Sequence, residues 1–131
     1  MSADAEPICD VNALRGMVDL FQGEFCGALS DFLRNATRYA HEIAEAVVAQ
    51  KWDDVRAVSH KLKSSAAMFG FPRLGGLSAK IEAMTVAMKY DVLPPLAAEL
   101  TATLAATQDM VAPLHQDPSL SFENWASHPA S

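Results

Sequence analysis

At 131 residues, half of them apolar, the chain has room for one domain with a packed core and little for a second. A net charge of −6 argues against nucleic acid or an anionic membrane as a partner of the whole molecule. No run of about 18 uncharged apolar residues exists to span a bilayer.

The segment 1–10 carries Asp4, Glu6 and Asp10 and neither Lys nor Arg. It lacks the positive start and apolar stretch of a secretory leader and reads as a flexible N-terminus. Cys9 and Cys26 are the only cysteines and have no CxxC spacing, which argues against a zinc site. Together these features point to a reduced, cytoplasmic chain, with a single disulfide as the other reading of the cysteine pair.

From there helical periodicity runs almost without interruption. Leu14, Met17, Val18 and Phe21 fall at i, i+3, i+4 and i+7, which predicts a short helix from about residue 11 to 22, capped by Asp10. Phe25, Leu29, Phe32, Leu33, Ala36, Ala40, Ile43 and Val47 stripe a second, long helix. A third opens at Trp52 or Asp53 and buries Val55, Val58, Leu62, Ala66 and Phe69. Phe69-Gly70-Phe71-Pro72 breaks it, since Gly suits a helix end and Pro the first turn of the next. Leu74, Leu77, Ile81, Met84 and Met88 stripe the fourth helix, and residues 91–95 form the next break. Leu96, Leu100, Leu104, Thr107 and Val111 stripe the fifth, which Pro113 should end. Residues 115–131 are rich in Pro, Ser and Asp and read as a C-terminal tail with at most irregular packing. No strand signal and no internal repeat appear. The expected fold is all-α: an antiparallel four-helix bundle over residues 11–114, with the additional short N-terminal helix as a lid.

Charge is distributed unevenly. Lys51, Arg56, Lys61, Lys63, Arg73 and Lys80 meet only Asp53 and Asp54 between residues 51 and 80. That stretch is basic inside an acidic chain, which suits an anionic ligand or partner, although a solvated helix face explains it equally simply. On the third helix His60 points about 155° away from the mean of the apolar stripe, so it is not a core histidine. Its neighbours one and two turns away are Arg56, Ala57, Lys63, Ser64 and Ala67. Three of them are small and two are cationic. An imidazole so placed is open to approach and sits in positive potential. Neutral imidazole is a good nucleophile near neutral pH. A phosphoryl group carries charge on its equatorial oxygens. Lys63 can reach those oxygens and Ser64 can donate a hydrogen bond to them. An ordinary exposed histidine on a polar face remains the other reading of the same residues.

The run Ser59-His60-Lys61-Leu62-Lys63-Ser64-Ser65-Ala66-Ala67-Met68-Phe69-Gly70 resembles the signature of histidine phosphotransfer (HPt) domains: His-x-Leu-Lys-Gly-Ser with a glycine ten residues after the histidine. Leu74, Leu77, Ile81 and Glu82 resemble the helix that follows in that family. The resemblance extends from about Leu14 to Leu114. It implies that His60 is the phosphorylated residue, with Lys63 as its cationic helper and Ser64 beside them. It implies that Gly70 ends this helix or allows close packing near it. It also implies a docking surface, assigned here to Arg56, Ala57, Lys61, Ala67 and Gly70. The chain departs from the pattern at Ser64, where the family has Gly, and at Ser59, where it has Ala. The small residue of the next helix is Ser78 or Ala79.

Other candidates are weaker. His41 lies near the edge of the second helix's stripe and reads as a bystander. His115 and His128 form no metal spacing. Met68, Met84 and Met88 suit packing or docking better than ligation, and Gly75-Gly76 reads as a close helix contact. No phosphate loop, dinucleotide loop or nucleophile elbow occurs, nor the ATP-binding boxes of a sensor kinase. The expectation is a monomeric phosphocarrier without ATP-dependent kinase activity. Its partners would be receiver domains of response regulators and a hybrid histidine kinase, and nucleic acid and membrane would not be among them. It would need no cofactor, any Mg²⁺ being supplied by the receiver. Two other readings stand beside it: an adaptor of the same fold whose His60 is incidental, and the dimerising half of a histidine kinase.

Overall fold

The computed structural model describes residues 6–117 and 119–127. Residues 1–5 of the expected flexible start, and 118 and 128–131 of the expected tail, His128 among them, lie outside the described residues. Among the described residues six helices follow one another: α1 (Val11–Phe21), α2 (Phe25–Val48), α3 (Trp52–Phe69), α4 (Pro72–Val86), α5 (Leu93–Gln116) and α6 (Phe122–Ala126). Short 3-10 turns at Gln22–Glu24 and Tyr90–Val92 lead into α2 and α5. No strand occurs among the described residues, and no helix there is long and apolar enough to cross a membrane.

The helix ends follow local chemistry. Asp10 caps α1 by accepting the Ala13 N–H at 3.1 Å. Gly70 ends α3 in the left-handed conformation, φ 101°, and Pro72 opens α4. Three boundaries differ from expectation. α4 stops at Val86, so Met88, expected on its apolar stripe, falls in the turn beyond it and is exposed. Pro94 and Pro95 lie inside the first turn of α5, where the missing N–H costs nothing, so the preceding break is shorter than the sequence suggested. Pro113 does not end α5, which continues to Gln116. Pro113 forfeits one helical bond, while the next residue, Leu114, is buried and its carbonyl accepts the Cys26 thiol at 3.1 Å.

Packing closes a ring. α3 lies on α4, α4 on α5, α5 on α2 and α2 on α3, with no close backbone approach across either diagonal among the described residues. Leu29, Ile43, Val55, Leu62, Leu77, Ile81, Leu100 and Val111 fill the centre and are fully buried. Each such side chain contributes about 1.5–3 kcal/mol by leaving water. Five hydroxyl residues are buried in this interior, Ser59, Ser78, Thr85, Thr103 and Thr107; Ser59, Ser78, Thr85 and Thr107 satisfy themselves locally by donating to the carbonyl four residues back.

The segments flanking the ring are docked on it. At the start, Arg73 N–H donates to Pro7 O at 3.1 Å and Asp10 N–H to Gly70 O at 2.9 Å. This strap therefore satisfies groups orphaned at the α3–α4 turn. At the other terminus the expected tail forms α6. Trp125 is buried and its indole N–H donates to Met110 O at 3.0 Å. Arg15 grips Glu123 through two hydrogen bonds at 2.9 and 3.0 Å, tying α6 to α1. Five residues of helix are too short to show periodicity, which is why the sequence did not reveal it.

Candidate functional site

The site is set by the close approach of α3 and α4. A Cβ on Gly75 would stand 3.5 Å from both Lys63 O and Ala67 N, so the two backbones nearly touch there. Ser78, next along the same face of α4, is buried against α3. The Gly75-Gly76 pair is therefore a helix contact at its first glycine. The tight turn at Phe71 makes the pair antiparallel, and residues equidistant from Phe71 face one another. His60 and Glu82 are such a pair.

His60 lies on the outer face of α3 with its side chain 60 % exposed. Its Nδ1 stands 2.8 Å from Glu82 Oε2, while Lys63 Nζ donates to Glu82 Oε1 at 2.6 Å. One carboxylate thus holds both cationic-capable groups of the motif, and it is itself only 19 % exposed. The Lys63 hydrogen bond holds the Glu82 carboxyl below the usual carboxylate range; partial burial works against this, and the His60 bond adds to it. An ionised carboxylate only accepts, so the shared proton belongs to Nδ1. In the neutral ring this arrangement leaves the lone pair on Nε2, and the side chain is exposed. That is the tautomer a nucleophilic imidazole needs, fixed by a carboxylate behind it.

The remaining expected residues divide. Arg56, Ala57, Lys61, Ser64 and Ala67 are exposed on α3 around His60. Ser64 does not aim its hydroxyl at the ring: it donates to His60 O at 3.2 Å, the usual use of a serine inside a helix. Lys63 is not a lone cation either, because Glu82 neutralises it in this state. Gly70 must be removed from the docking surface. It is buried, and a Cβ there would meet Leu14 N at 3.1 Å, Ala13 Cβ at 3.2 Å and Asp10 O at 3.3 Å. The start of α1 covers it, and its role is the helix end.

Of the other histidines, His41 is exposed on α2 with Nε2 3.4 Å from Glu45, and His115 is half-buried on α5; neither approaches the site. Both cysteines are free. Cys9 is buried with its thiol 3.3 Å from Met110 Sδ, and burial pushes that thiol up to about 12. Among the described residues no group of three or more His, Cys, Asp or Glu is placed to hold a metal ion.

Glu82 is the site residue that sequence reasoning named without giving it a task. Its signal was there: an acidic residue directly after the buried Ile81, on a helix joined to α3 by a tight turn. Converting that into a partner for His60 required the register of the two helices.

The family model of the Hpt domain matches residues 27–110, well over half of the chain. No curated protein and no solved structure matches it. The matched stretch runs from the first turn of α2 almost to the end of α5, so it takes in the ring and the His60–Glu82–Lys63 cluster and leaves out α1, α6 and the strap. Motif, helical ring and matched region agree, and the chain belongs to the Hpt domain family, whose members act in the phosphotransfer steps of phosphorelays and interact with receiver domains and histidine kinases.

Proposed function

We propose that this chain is a phosphocarrier that takes a phosphoryl group onto Nε2 of His60 from a receiver-domain aspartate and passes it to another. The observation that carries this reading is the His60 Nδ1–Glu82 contact at 2.8 Å, which leaves Nε2 open on an exposed ring. In the forward step the Nε2 lone pair attacks phosphorus. The N–P bond forms, the P–O bond of the acyl phosphate breaks, and the donor's carboxylate leaves with the electron pair. His60 keeps its Nδ1 proton, so the ring becomes cationic, and Glu82 compensates that charge at hydrogen-bond distance. Lys63 is then free to turn from Glu82 to the phosphoryl oxygens. Delivery is the same step in reverse.

The ring of helical contacts and the short connections support an antiparallel four-helix bundle over residues 11–114, with α1 as an added N-terminal helix. Arg56, Ala57, Lys61 and Ala67 serve as the docking surface: their small side chains admit a receiver's acidic pocket to the ring, and their charges attract it. Mg²⁺ comes with the receiver. The chain acts as a monomer and does not use ATP itself.

Incubation with a phosphorylated receiver tests the reading. The protein should acquire phosphate that is labile in acid and stable in base, and His60→Gln should acquire none. Full labelling of that variant would end the assignment.

A further inference from the structure

Beside the site lies a cleft of about 290 Å³ between the start of α3 and the end of α4, walled by Trp52, Asp53, Arg56, Thr85, Val86, Met88 and Tyr90. Two of these walls are apolar side chains left in water: Val86 is 64 % exposed and Met88 74 %. Met88 also occupies a position that favours glycine, with φ 60°. The end of α4 uses that backbone turn, through Met88 N–H to Thr85 O at 3.1 Å and Lys89 N–H to Met84 O at 2.9 Å. Nothing in those bonds requires a methionine. Fold stability alone would favour glycine at 88 and a polar residue at 86.

The cleft is continuous with the His60 face. Arg56 precedes His60 by one helical turn, and Val86 follows Glu82 by one turn, about 5.4 Å; Glu82 in turn touches His60. An ordinary protein interface covers about 800 Å² of each partner, a disc of about 16 Å radius. Centred on His60, such a disc extends well beyond Arg56, one helical turn away at about 6 Å along α3. Arg56 lies on its wall, exposed and in no ion pair among the described residues.

We propose that this cleft is the part of the docking surface that selects the receiver: it takes an apolar side chain of the receiver, whose flanking acidic group pairs with Arg56. The proposal rests on the reading of His60 as phosphocarrier and extends the interface from α3 onto the end of α4, where the sequence offered Met88 for packing or docking without choosing between them. Burial of Val86 and Met88 removes apolar surface from water, and the Arg56 pair fixes the orientation.

Two phosphoryl donors separate docking from chemistry. Phosphoramidate is small and needs no interface; a phosphorylated receiver domain that transfers to the parent protein needs one. Val86→Asp and Met88→Gly should each slow transfer from the receiver about tenfold, while phosphoramidate still labels His60 at the parent rate. Met88→Gly should at the same time melt no lower than the parent, because it relieves the left-handed residue; a structural role for Met88 would move both readouts the same way. Ala102→Asp, the same kind of charge insertion on exposed α5 across the ring from α3, should transfer as the parent does. Parent-like transfer in both cleft variants overturns the proposal, as does loss of phosphoramidate labelling in them. A parent protein labelled by phosphoramidate but by none of a set of receivers overturns it too. A parent labelled by neither donor overturns the phosphocarrier reading itself.

Discussion

At the hairpin end of the α3–α4 pair the side chains are apolar, stacked and sealed; a few turns away, around His60, they are charged, hydrogen-bonded and open. Phe32, Phe69 and Phe71 stack as a triangle, with Phe32 5.1 Å from each of the others, and Phe21 and Phe25 extend the cluster at 6.3 and 6.2 Å from Phe69. Phe71 has no exposed surface. The strap and α1 close over the turn. At His60 the contacts are one carboxylate, one ammonium and one imidazole. The difference separates two tasks. The aromatic end fixes the register that brings Glu82 to His60, and the polar end uses that register at little expense in stability. On the proposed function, a receiver can therefore remodel the charged groups without loosening the helices that hold them.

The contrast is sharpest in a pair of substitutions. Phe71→Ala should cost about 3–5 kcal/mol, as for a fully buried aromatic, read by urea denaturation. His60→Gln should change stability by less than about 0.5 kcal/mol while phosphoryl acceptance disappears. A comparable loss in both would mean that the site is part of the core and that the division is wrong.

Gly70→Ala comes next. The residue would need a left-handed backbone, and its methyl group would press on Leu14 N, so a loss of about 1–3 kcal/mol is expected. Loss of the strap should accompany it, visible as faster amide exchange at Arg73. Unchanged stability would show that the hairpin end is more plastic than its packing implies.

Lys63→Ala tests the polar end. Its ion pair is partly exposed, so stability should fall by less than about 1 kcal/mol, yet transfer should slow more than receiver binding weakens. An unaltered transfer rate would move the charge compensation to Arg56 or Lys61.

The smallest effect concerns pH. Glu82 is held below the usual carboxylate range, so the folded state binds its proton less readily than the unfolded chain does. The stability it contributes is fully present above the ordinary carboxylate value and is lost as pH falls through the lowered one. Melting of the parent and of Glu82→Gln should therefore differ at neutral pH and converge in acid. A gap that persists below the carboxylate range would assign the contribution to packing.

How far the sequence carried can be read from three residues. Periodicity within α3 placed His60 on the outer face, because a helix alone determines which residues share a side. Gly70 was legible as a helix end, since only its backbone freedom suits that turn, but its burial was not: α1 covers it, and no local pattern says where a lid rests. Glu82 needed two facts that no single stripe contains, the antiparallel turn at Phe71 and the near contact of Gly75 with α3. Short α6 escaped for a different reason, having too few residues to show a period. Local structure was thus available from spacing, while the site depended on which faces meet.

One feature of the cleft also makes it visible to light. Trp52 lies flat on Tyr90, with ring centres 4.2 Å apart and planes within 2°, at the mouth of the opening. The other tryptophan, Trp125, is buried under α6 with its N–H bonded to Met110 O. The two indoles therefore sit in unrelated surroundings, one at a wall that water reaches and one sealed from it. With Trp125→Phe, the remaining emission comes from Trp52 alone, and its intensity and wavelength follow the wetting of the cleft. The protein thus carries an intrinsic fluorophore beside the proposed docking face, able to test for the arrival of a partner there without any attached dye.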